Sequence, residues 1–144
     1  MTLIIRPAAV ADYRKAIELL KEAGLPVADL KVKHLALAAE YNDVFQGLIG
    51  LEALGEIALL RSLVVSSDAR GRGIGAALVA ALETACVADA VRELWLLTTD
   101  ADEFFMKQGY AIRERTDVPD AIRTTEEFSS LCPGTAVVMS KSLR

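Results

Sequence analysis

One stretch restricts the possible folds of this chain more than any other. Residues Glu56 to Val65, EIALLRSLVV, are almost wholly apolar and lead into the glycine-rich turn SSDARGRG. The length and β-branched content of this stretch predict a central strand that is buried on both faces. From Gly75 to about Ala88, apolar residues return at helical spacing. A helix directly after a central strand predicts a parallel crossover to the next strand.

The rest of the chain extends this unit into one α/β domain, residues 1–144, with a mixed sheet and helices on its faces. The predicted order is β-α-β-β-β-α-β-α-β-(α)-β. Gly47 and Gly50 indicate a bulge or a close backbone approach in the third strand. Thr124 with Glu127 fits a capping box. The predicted strands are Leu3–Arg6, His34–Glu40, Val44–Leu54, Glu56–Val65, Leu94–Thr98, Tyr110–Arg115 and Thr135–Lys141, and the predicted helices begin at Val10, Gly75, Ala101 and Thr124.

Composition and charge exclude several classes of protein. The net charge is −4 and the pI is about 5.0, so no global positive field favours nucleic acid or an anionic membrane. No apolar run approaches a membrane-spanning length. Cys86 and Cys132 match no metal-ligand spacing and make a poor disulfide framework. We therefore expect a cytoplasmic protein without a metal, a monomer or a homodimer, in which any anionic ligand is held by a local positive cluster.

The glycine-rich turn has the composition of a phosphate-binding loop. The first turn of a helix presents unpaired N–H groups and the positive end of the helix dipole, which together favour phosphate. Glycines allow a ligand to approach the backbone closely, and Arg70 and Arg72 can add charged hydrogen bonds. The alternative is a tight loop with two solvated arginines. Neither the Walker pattern nor the dinucleotide pattern G-x-G-x-x-G occurs here.

Two motifs resemble those of one enzyme superfamily. Arg70-Gly71-Arg72-Gly73-Ile74-Gly75 resembles the Arg/Gln-x-x-Gly-x-Gly/Ala motif of GNAT acetyl-CoA-dependent N-acetyltransferases, and Phe104 to Tyr110, FFMKQGY, resembles their F-Y-x-x-x-G-F segment. The resemblance implies the GNAT acyl-CoA N-acyltransferase fold, with acetyl-CoA as co-substrate and its thioester held where the fourth and fifth strands splay apart. The cofactor-binding residues that it implies are Leu63, Val64, Val65, Arg70, Gly71, Arg72, Gly73, Ile74, Gly75, Ala76, Thr98 and Phe105.

The acetyl acceptor is less tightly defined than the donor. The chain also resembles, more narrowly, the small acetyltransferases associated with arsenic resistance and, more loosely, the amino-acid acetyltransferases. The segments that carry this resemblance are ALLRSLVV, LLTT and DAIRTTEEFSSLCPGTAVVMSK. Arg61, inside an apolar strand, can bind a substrate anion or form a structural ion pair. Ser62, Thr99 and Arg123 complete the predicted acceptor site.

Acetyl transfer to an amine also requires groups that accept and deliver protons. Glu52 and Glu56 are candidate bases, with exposed strand-end carboxylates as the alternative, and His34 is interpreted as a structural or surface residue. Phe105 stands where the family commonly has a tyrosine acid, so Thr98, Thr99, Ser62 or water must serve, or the thiolate leaves unassisted.

The sequence supports three hypotheses of function. The first is acetyl transfer by direct attack of a small-molecule amine, which we expect to be an amino acid or an amino-acid-like toxin. The second is a coenzyme A sensor that has lost turnover, which Phe105 favours. The third is acetylation of a protein amine.

Overall fold

The computed structural model describes residues 2–131 and 135–143, so Cys132 and the turn around it lie outside the described residues. These described residues form seven strands and four α-helices. The strands are β1 (Leu3–Pro7), β2 (Leu35–Tyr41), β3 (Val44–Leu54), β4 (Ile57–Val65), β5 (Glu93–Thr98), β6 (Ala111–Arg113) and β7 (Val137–Ser142). The helices are α1 (Tyr13–Glu22), α2 (Ile74–Ala88), α3 (Asp102–Lys107) and α4 (Asp120–Arg123).

The strands form one sheet in the order β1-β2-β3-β4-β5-β7-β6. β1 to β4 pair with one another in antiparallel fashion, β4 and β5 are parallel, and β7 is antiparallel to both β5 and β6. The prediction of a mixed sheet with a parallel crossover after the central strand is therefore confirmed. Helix α2 supplies that crossover.

Helices cover both faces of the sheet. On one face, Leu78 and Leu82 of α2 are buried against Ala58 and Leu60 of β4. On the other face, α1 buries Leu20 against β3 and β4. Ile122 of α4 belongs to a smaller cluster on Leu59 and Trp95. Strand β4 thus lies in the middle of the molecule with apolar contacts on both faces, as its composition predicts.

Two predicted boundaries are wrong. A helix was expected to begin at Thr124. Instead, α4 ends at Arg123, and a single π-helical turn follows at Glu127–Leu131. Thr125, one residue further on, accepts a hydrogen bond from the Phe128 amide through its hydroxyl. The Thr124 hydroxyl donates to the Ala121 carbonyl and the Thr124 amide donates to the Asp120 carbonyl, so Thr124 and Glu127 do not form a capping box. Strand β6 spans only three residues, because Arg115–Asp117 turns into a 3₁₀ segment.

Strand β4 contains a bulge at the point where it leaves its parallel neighbour. Its register with β3 shifts between the pairs Leu48–Val64 and Gly50–Arg61, so β4 carries one residue more than β3 over this interval. Ser62 has a φ of 60°, in the left-handed region. On the other side, β4 pairs with β5 only from Ile57 to Leu59. The rest of β4 therefore faces β5 across an open gap.

Gly50 permits the close approach that this bulge needs. A Cβ atom at Gly50 would lie 3.1 Å from the carbonyl oxygens of both Arg61 and His34. The prediction that Gly47 and Gly50 mark a bulge or a close approach is confirmed, since the register of β3 is irregular with both β2 and β4 there.

Candidate active site

A cavity of about 360 Å³ occupies the gap between β4 and β5. One wall is the part of β4 that follows the parallel pairing, and the opposite wall is the end of β5 and the loop into α3. The described residues that line it are Gly24, Leu25, Pro26, Leu60, Arg61, Ser62, Leu63, Leu96, Leu97, Thr98, Thr99, Asp100, Ala101, Phe104, Phe105, Glu127 and Ala136. The cavity is largely apolar, with its charged and hydroxyl groups at few positions, as is typical of a small-molecule site.

The glycine-rich turn lies between the open part of β4 and α2. Gly73 is the N-cap residue, with a φ of 77°, and no side chain caps the helix. The first intrahelical bond runs from the Ala77 amide to the Gly73 carbonyl, which leaves the amides of Ile74 to Ala76 without acceptors in the helix. A fifteen-residue helix therefore begins with free donors and the positive end of its dipole.

Two exposed arginines flank these donors. Arg70 donates from Nε to the carbonyl of Val65 at 3.3 Å, and the Arg72 guanidinium lies 5.1 Å from the ring centre of Tyr41. Gly71 also has a positive φ, 80°, so the turn depends on glycine at two positions. Gly75 instead lies against the Phe104 ring, which is 3.4 Å from where its Cβ would be. An acidic protein thus has a local cationic turn.

Phe105 is buried against its aromatic neighbours and lines the cavity. Its ring contacts Phe104 and Tyr110 edge to face, at 5.0 and 5.6 Å between centroids. Tyr110 cannot replace the missing tyrosine hydroxyl, because its own hydroxyl donates to Glu83 at 2.9 Å. Burial, together with the Glu83 charge, raises the pKa of Tyr110 far above its ordinary value.

Arg61 is fully buried and holds three carboxylates around one guanidinium. Its Nη1 and Nη2 donate to the two oxygens of Asp29, at 2.5 and 2.6 Å. Glu127 lies 3.4 Å from Nε, and Glu52 lies 3.8 Å from Nη1. The hydrogen bonds from Arg61 lower the pKa of Asp29, so this pair is ionised. The fork geometry directs both terminal nitrogens of Arg61 to Asp29 and away from a ligand.

Glu127 differs from the other two carboxylates in burial and in hydrogen bonding. It is 4% exposed, lines the cavity and has one long contact with Arg61 in place of a bidentate pair. Burial raises the pKa of Glu127 to about 7. The negative charges of Asp29 and Glu52 raise it as well, whereas the positive charge of Arg61 lowers it. At neutral pH this carboxyl can therefore give or take a proton.

The structure brings some predicted acceptor and catalytic residues to the cavity and leaves others away from it. Ser62, Thr98 and Thr99 line it. The Thr98 hydroxyl accepts a hydrogen bond from the Ala101 amide, and the Ser62 hydroxyl accepts one from Arg61 Nε at 3.3 Å. Glu52 is half-buried, next to Arg61.

Glu56 and Arg123 do not contribute to the cavity wall. Glu56 is exposed in the turn directly before β4, next to the residues of β4 that pair with β5. Arg123 donates to the carbonyls of Val118 and Arg115. His34 has a structural role, as interpreted: its Nδ1 accepts from the Lys31 amide, and burial lowers its pKa.

Sequence reasoning missed Asp29 and assigned Glu127 to a helix cap. Asp29 lies in a loop before a 3₁₀ turn, and no spacing rule connects it with Arg61, 32 residues later. The one available signal was the cost of an arginine in an apolar strand, which requires a buried acidic partner somewhere in the chain.

The described residues 2–131 and 135–143 contain no helix that could cross a membrane and no cluster of three acidic, histidine or cysteine side chains that could hold a metal ion.

Comparison with known proteins gives one family and several solved structures. The family model described as "Acetyltransferase (GNAT) family" matches residues 7–110. No curated protein matches the chain significantly.

The solved structures share the fold at low sequence identity. N-acetylglutamate synthase from Neisseria gonorrhoeae, complexed with coenzyme A and N-acetyl-glutamate, superposes with a TM-score of 0.84 at 18% identity, over 100% of this chain and 36% of that one. A Mycobacterium tuberculosis protein in complex with CoA and NLQ gives 0.81 at 22%, over 98% and 99% of the two chains. The ribosomal-protein-S18-alanine N-acetyltransferase of Escherichia coli gives 0.77 at 16%, over 99% and 94%. The present chain spans about a third of the Neisseria synthase.

Proposed function

The chain belongs to the acetyltransferase (GNAT) family, and we propose that it is an acetyl-CoA-dependent N-acetyltransferase that acetylates the amine of a small molecule by direct attack. The observation that carries this proposal is the position of the cavity. It opens beside the unpaired part of β4, and that strand leads directly into the cationic glycine turn. An extended ligand with a phosphate end and a reactive end fits this arrangement.

The residues of the turn fit the pyrophosphate of coenzyme A. The free amides of Ile74 to Ala76, the open space at Gly71 and Gly73, and the charges of Arg70 and Arg72 all lie on one segment. We assign the pantetheine arm to the backbone of Leu63, Val64 and Val65, where an added chain can pair as a strand does. Thr98 and Phe105 then lie near the thioester end.

The acceptor that we propose is an amino acid or an amino-acid-like molecule. The cavity volume favours a small acceptor, and one fold relative was solved with N-acetyl-glutamate. Ser62 and Thr99 supply hydroxyls to it. Arg61 acts by holding the acidic groups in position, because Asp29 occupies both of its terminal nitrogens. Arg123 takes part only if the segment after β6 moves toward the ligand.

The chemistry requires a neutral amine. An α-amino group with a pKa of about 8 needs roughly 1.4 kcal/mol to deprotonate at pH 7, whereas a lysine-type amine needs about 4.6 kcal/mol. Of the glutamates predicted from sequence, Glu52 is the nearer to the cavity and can order water there, and Glu56 would act only through a longer relay. The leaving thiolate takes its proton from Ser62, Thr98, Thr99 or water.

A screen of amines tests the proposed acceptor. Coenzyme A release from acetyl-CoA is measured with amino acids, polyamines and peptides with free N-termini. We expect turnover with one or more amino acids and little with the other two groups. A clear preference for polyamines or for peptides would contradict the acceptor class and leave the family assignment intact.

A pair of variants at Gly73 tests the phosphate site. Asn and Asp both tolerate the left-handed conformation and have nearly the same shape, so Gly73→Asn and Gly73→Asp differ mainly in charge. We expect Gly73→Asp to weaken coenzyme A binding at least tenfold relative to Gly73→Asn, as measured by calorimetry, with both variants folded. A Gly73→Glu variant should lose binding in the same way. Equal affinities for Asn and Asp would refute the assignment of the turn.

The second candidate is a coenzyme A sensor without turnover, favoured by the position of Phe105 in the cavity wall. It predicts tight coenzyme A binding but no thiol release above background with any amine in the same screen.

A further inference from the structure

Glu127 is a buried carboxylate that lines the cavity, and no sequence motif predicts a catalytic role for it. We propose that Glu127 accepts the proton of the acceptor ammonium and so generates the attacking amine. This inference rests on the proposed function, which supplies the reaction but not the base.

The geometry sets Glu127 apart from the other two carboxylates around Arg61. Asp29 is held by two short hydrogen bonds to Arg61, which leave it a weak base. Glu52 has 24% of its side chain exposed, against 6% for Glu127, and it does not line the cavity. Of the three, Glu127 alone combines deep burial, a cavity-facing position and a single 3.4 Å contact with Arg61.

The charges that face Glu127 come from three parts of the chain. Arg61 on β4 is positive, and Glu52 on β3 and Asp29 in the loop after α1 are negative. Three carboxylates around one guanidinium leave an excess of negative charge, which attracts an ammonium group. Among the described lining residues Arg61 is the one cation, and Asp29 neutralises it. The cavity therefore binds the amine end of an acceptor more readily than its carboxylate.

The proton transfer to Glu127 precedes attack on the thioester. The ammonium gives one proton to a Glu127 carboxylate oxygen, and the freed nitrogen lone pair attacks the thioester carbon. The C–S bond breaks with its electron pair on sulfur, and the second proton on nitrogen passes to the thiolate through Ser62, Thr98, Thr99 or water. The products are the acetamide and free coenzyme A, and Glu127 returns its proton to solvent. A base with a pKa close to the working pH suits this task.

A titration of the free protein tests the base without any substrate. With ¹³C-labelled glutamate, we expect one carboxyl resonance of the wild type to titrate with a midpoint near 7. This resonance should be absent in Glu127→Gln and present in the matched control Glu126→Gln, because Glu126 is exposed on the same turn. Glu52→Gln should move the midpoint to lower pH, since the Glu52 charge raises it. A wild-type midpoint below about 6 would overturn the proposal, since a group with so low a pKa is nearly an ordinary glutamate.

Steady-state kinetics test the role of Glu127 in turnover. The pH profile is measured with the best acceptor of the amine screen and with a second acceptor whose amine has a different pKa. If the decrease of kcat/KM at low pH, the acidic limb, comes from a titrating group of the enzyme, its midpoint is the same for both acceptors. We expect that midpoint near pH 7. Glu127→Gln should lose the limb and about 10²- to 10⁴-fold in kcat, with unchanged coenzyme A affinity as evidence of folding. Glu126→Gln should match the wild type.

Two different outcomes separate the role of Glu127 from the proposed function. If coenzyme A binds and no amine is acetylated, the proposed function is wrong and the role of Glu127 falls with it. If acetylation occurs and Glu127→Gln keeps the wild-type kcat and acidic limb, the function stands and Glu127 is not the base.

Discussion

The environment of Arg61 shows how one buried charge organises the residues around it. An arginine in a central strand needs neutralisation, and Asp29 supplies it from a loop that is otherwise irregular. Taking two charges out of water is expensive, and removing one partner of such a pair is strongly destabilising. The pair thereby fixes the loop after α1 against the cavity and holds Glu127 and Glu52 nearby.

We predict that Asp29→Ala lowers the free energy of unfolding by about 3–5 kcal/mol, because it leaves a fully buried guanidinium without its bidentate partner. Urea denaturation measures this loss. The double variant Asp29→Ala/Arg61→Met is the control and should recover much of the stability. A loss below about 1 kcal/mol for the single variant would mean that Glu127 and Glu52 neutralise Arg61 without Asp29.

At the scale of elements, the bulge of β4 does most to shape the cavity between β4 and β5. Leu59, before the bulge, packs with α4, and Val64, after it, packs with α1, both on the face of the sheet opposite α2. Successive side chains of a regular strand point to opposite faces, so an odd-numbered and an even-numbered residue should not share a face. A regular strand would have placed Val64 on the α2 side. The extra residue reverses the alternation and releases the backbone at Ser62 and Leu63 from its regular pairing with β3.

We predict that Gly50→Ala destabilises the protein by about 1–3 kcal/mol, because the new methyl group would lie 3.1 Å from two carbonyl oxygens and must push β3 away from the bulge. Thermal unfolding gives the stability change, and coenzyme A affinity reports whether the cavity is distorted. The control is Ala53→Gly, further along the same strand, where the chain loses only a methyl group on an exposed side. Wild-type stability in Gly50→Ala would show that the bulge has room to adjust.

The sequence predicts the elements of this fold better than its contacts. Periodicity and glycine turns place nearly all helices and strands, because these signals are local and repeat over many residues. The glycine-rich turn was predictable for the same reason. Asp29 and Glu127 were not, since their roles come from three-dimensional proximity to Arg61. The helix start at Thr124 was wrong, since α4 ends at Arg123 and the Thr124 hydroxyl donates to the Ala121 carbonyl.

At the scale of the whole molecule, Glu127 couples the proposed chemistry to stability. Its pKa rises from the ordinary glutamate value of 4.5 to about 7 in the folded protein. The folded state therefore binds more protons than the unfolded state between these values, and the stability of the protein must fall as pH rises through this window. A carboxyl kept out of water in this way thus weakens the fold at neutral pH.

We predict that Glu127→Gln gains stability relative to the wild type by roughly 2–3 kcal/mol between pH 5 and pH 8, because glutamine has no proton to lose. Chemical denaturation of both proteins at the two pH values measures the difference, and Glu126→Gln serves as the control with no such change. A pH-independent difference between Glu127→Gln and the wild type would contradict a raised pKa for this carboxyl.

The pairing between β4 and β5 is only three residues long, and it leaves a strand edge open inside the sheet. Exposed strand edges invite pairing with other chains, and proteins usually protect the outermost strands of a sheet for this reason. Here the unpaired edge belongs to β4, in the interior of the sheet and beside the cavity, whereas the outermost strands are β1 and β6. An extended chain that enters the gap can pair with this edge as an added strand does. The short pairing that leaves room for a ligand thus also places the open edge inside the sheet and not at its outer border.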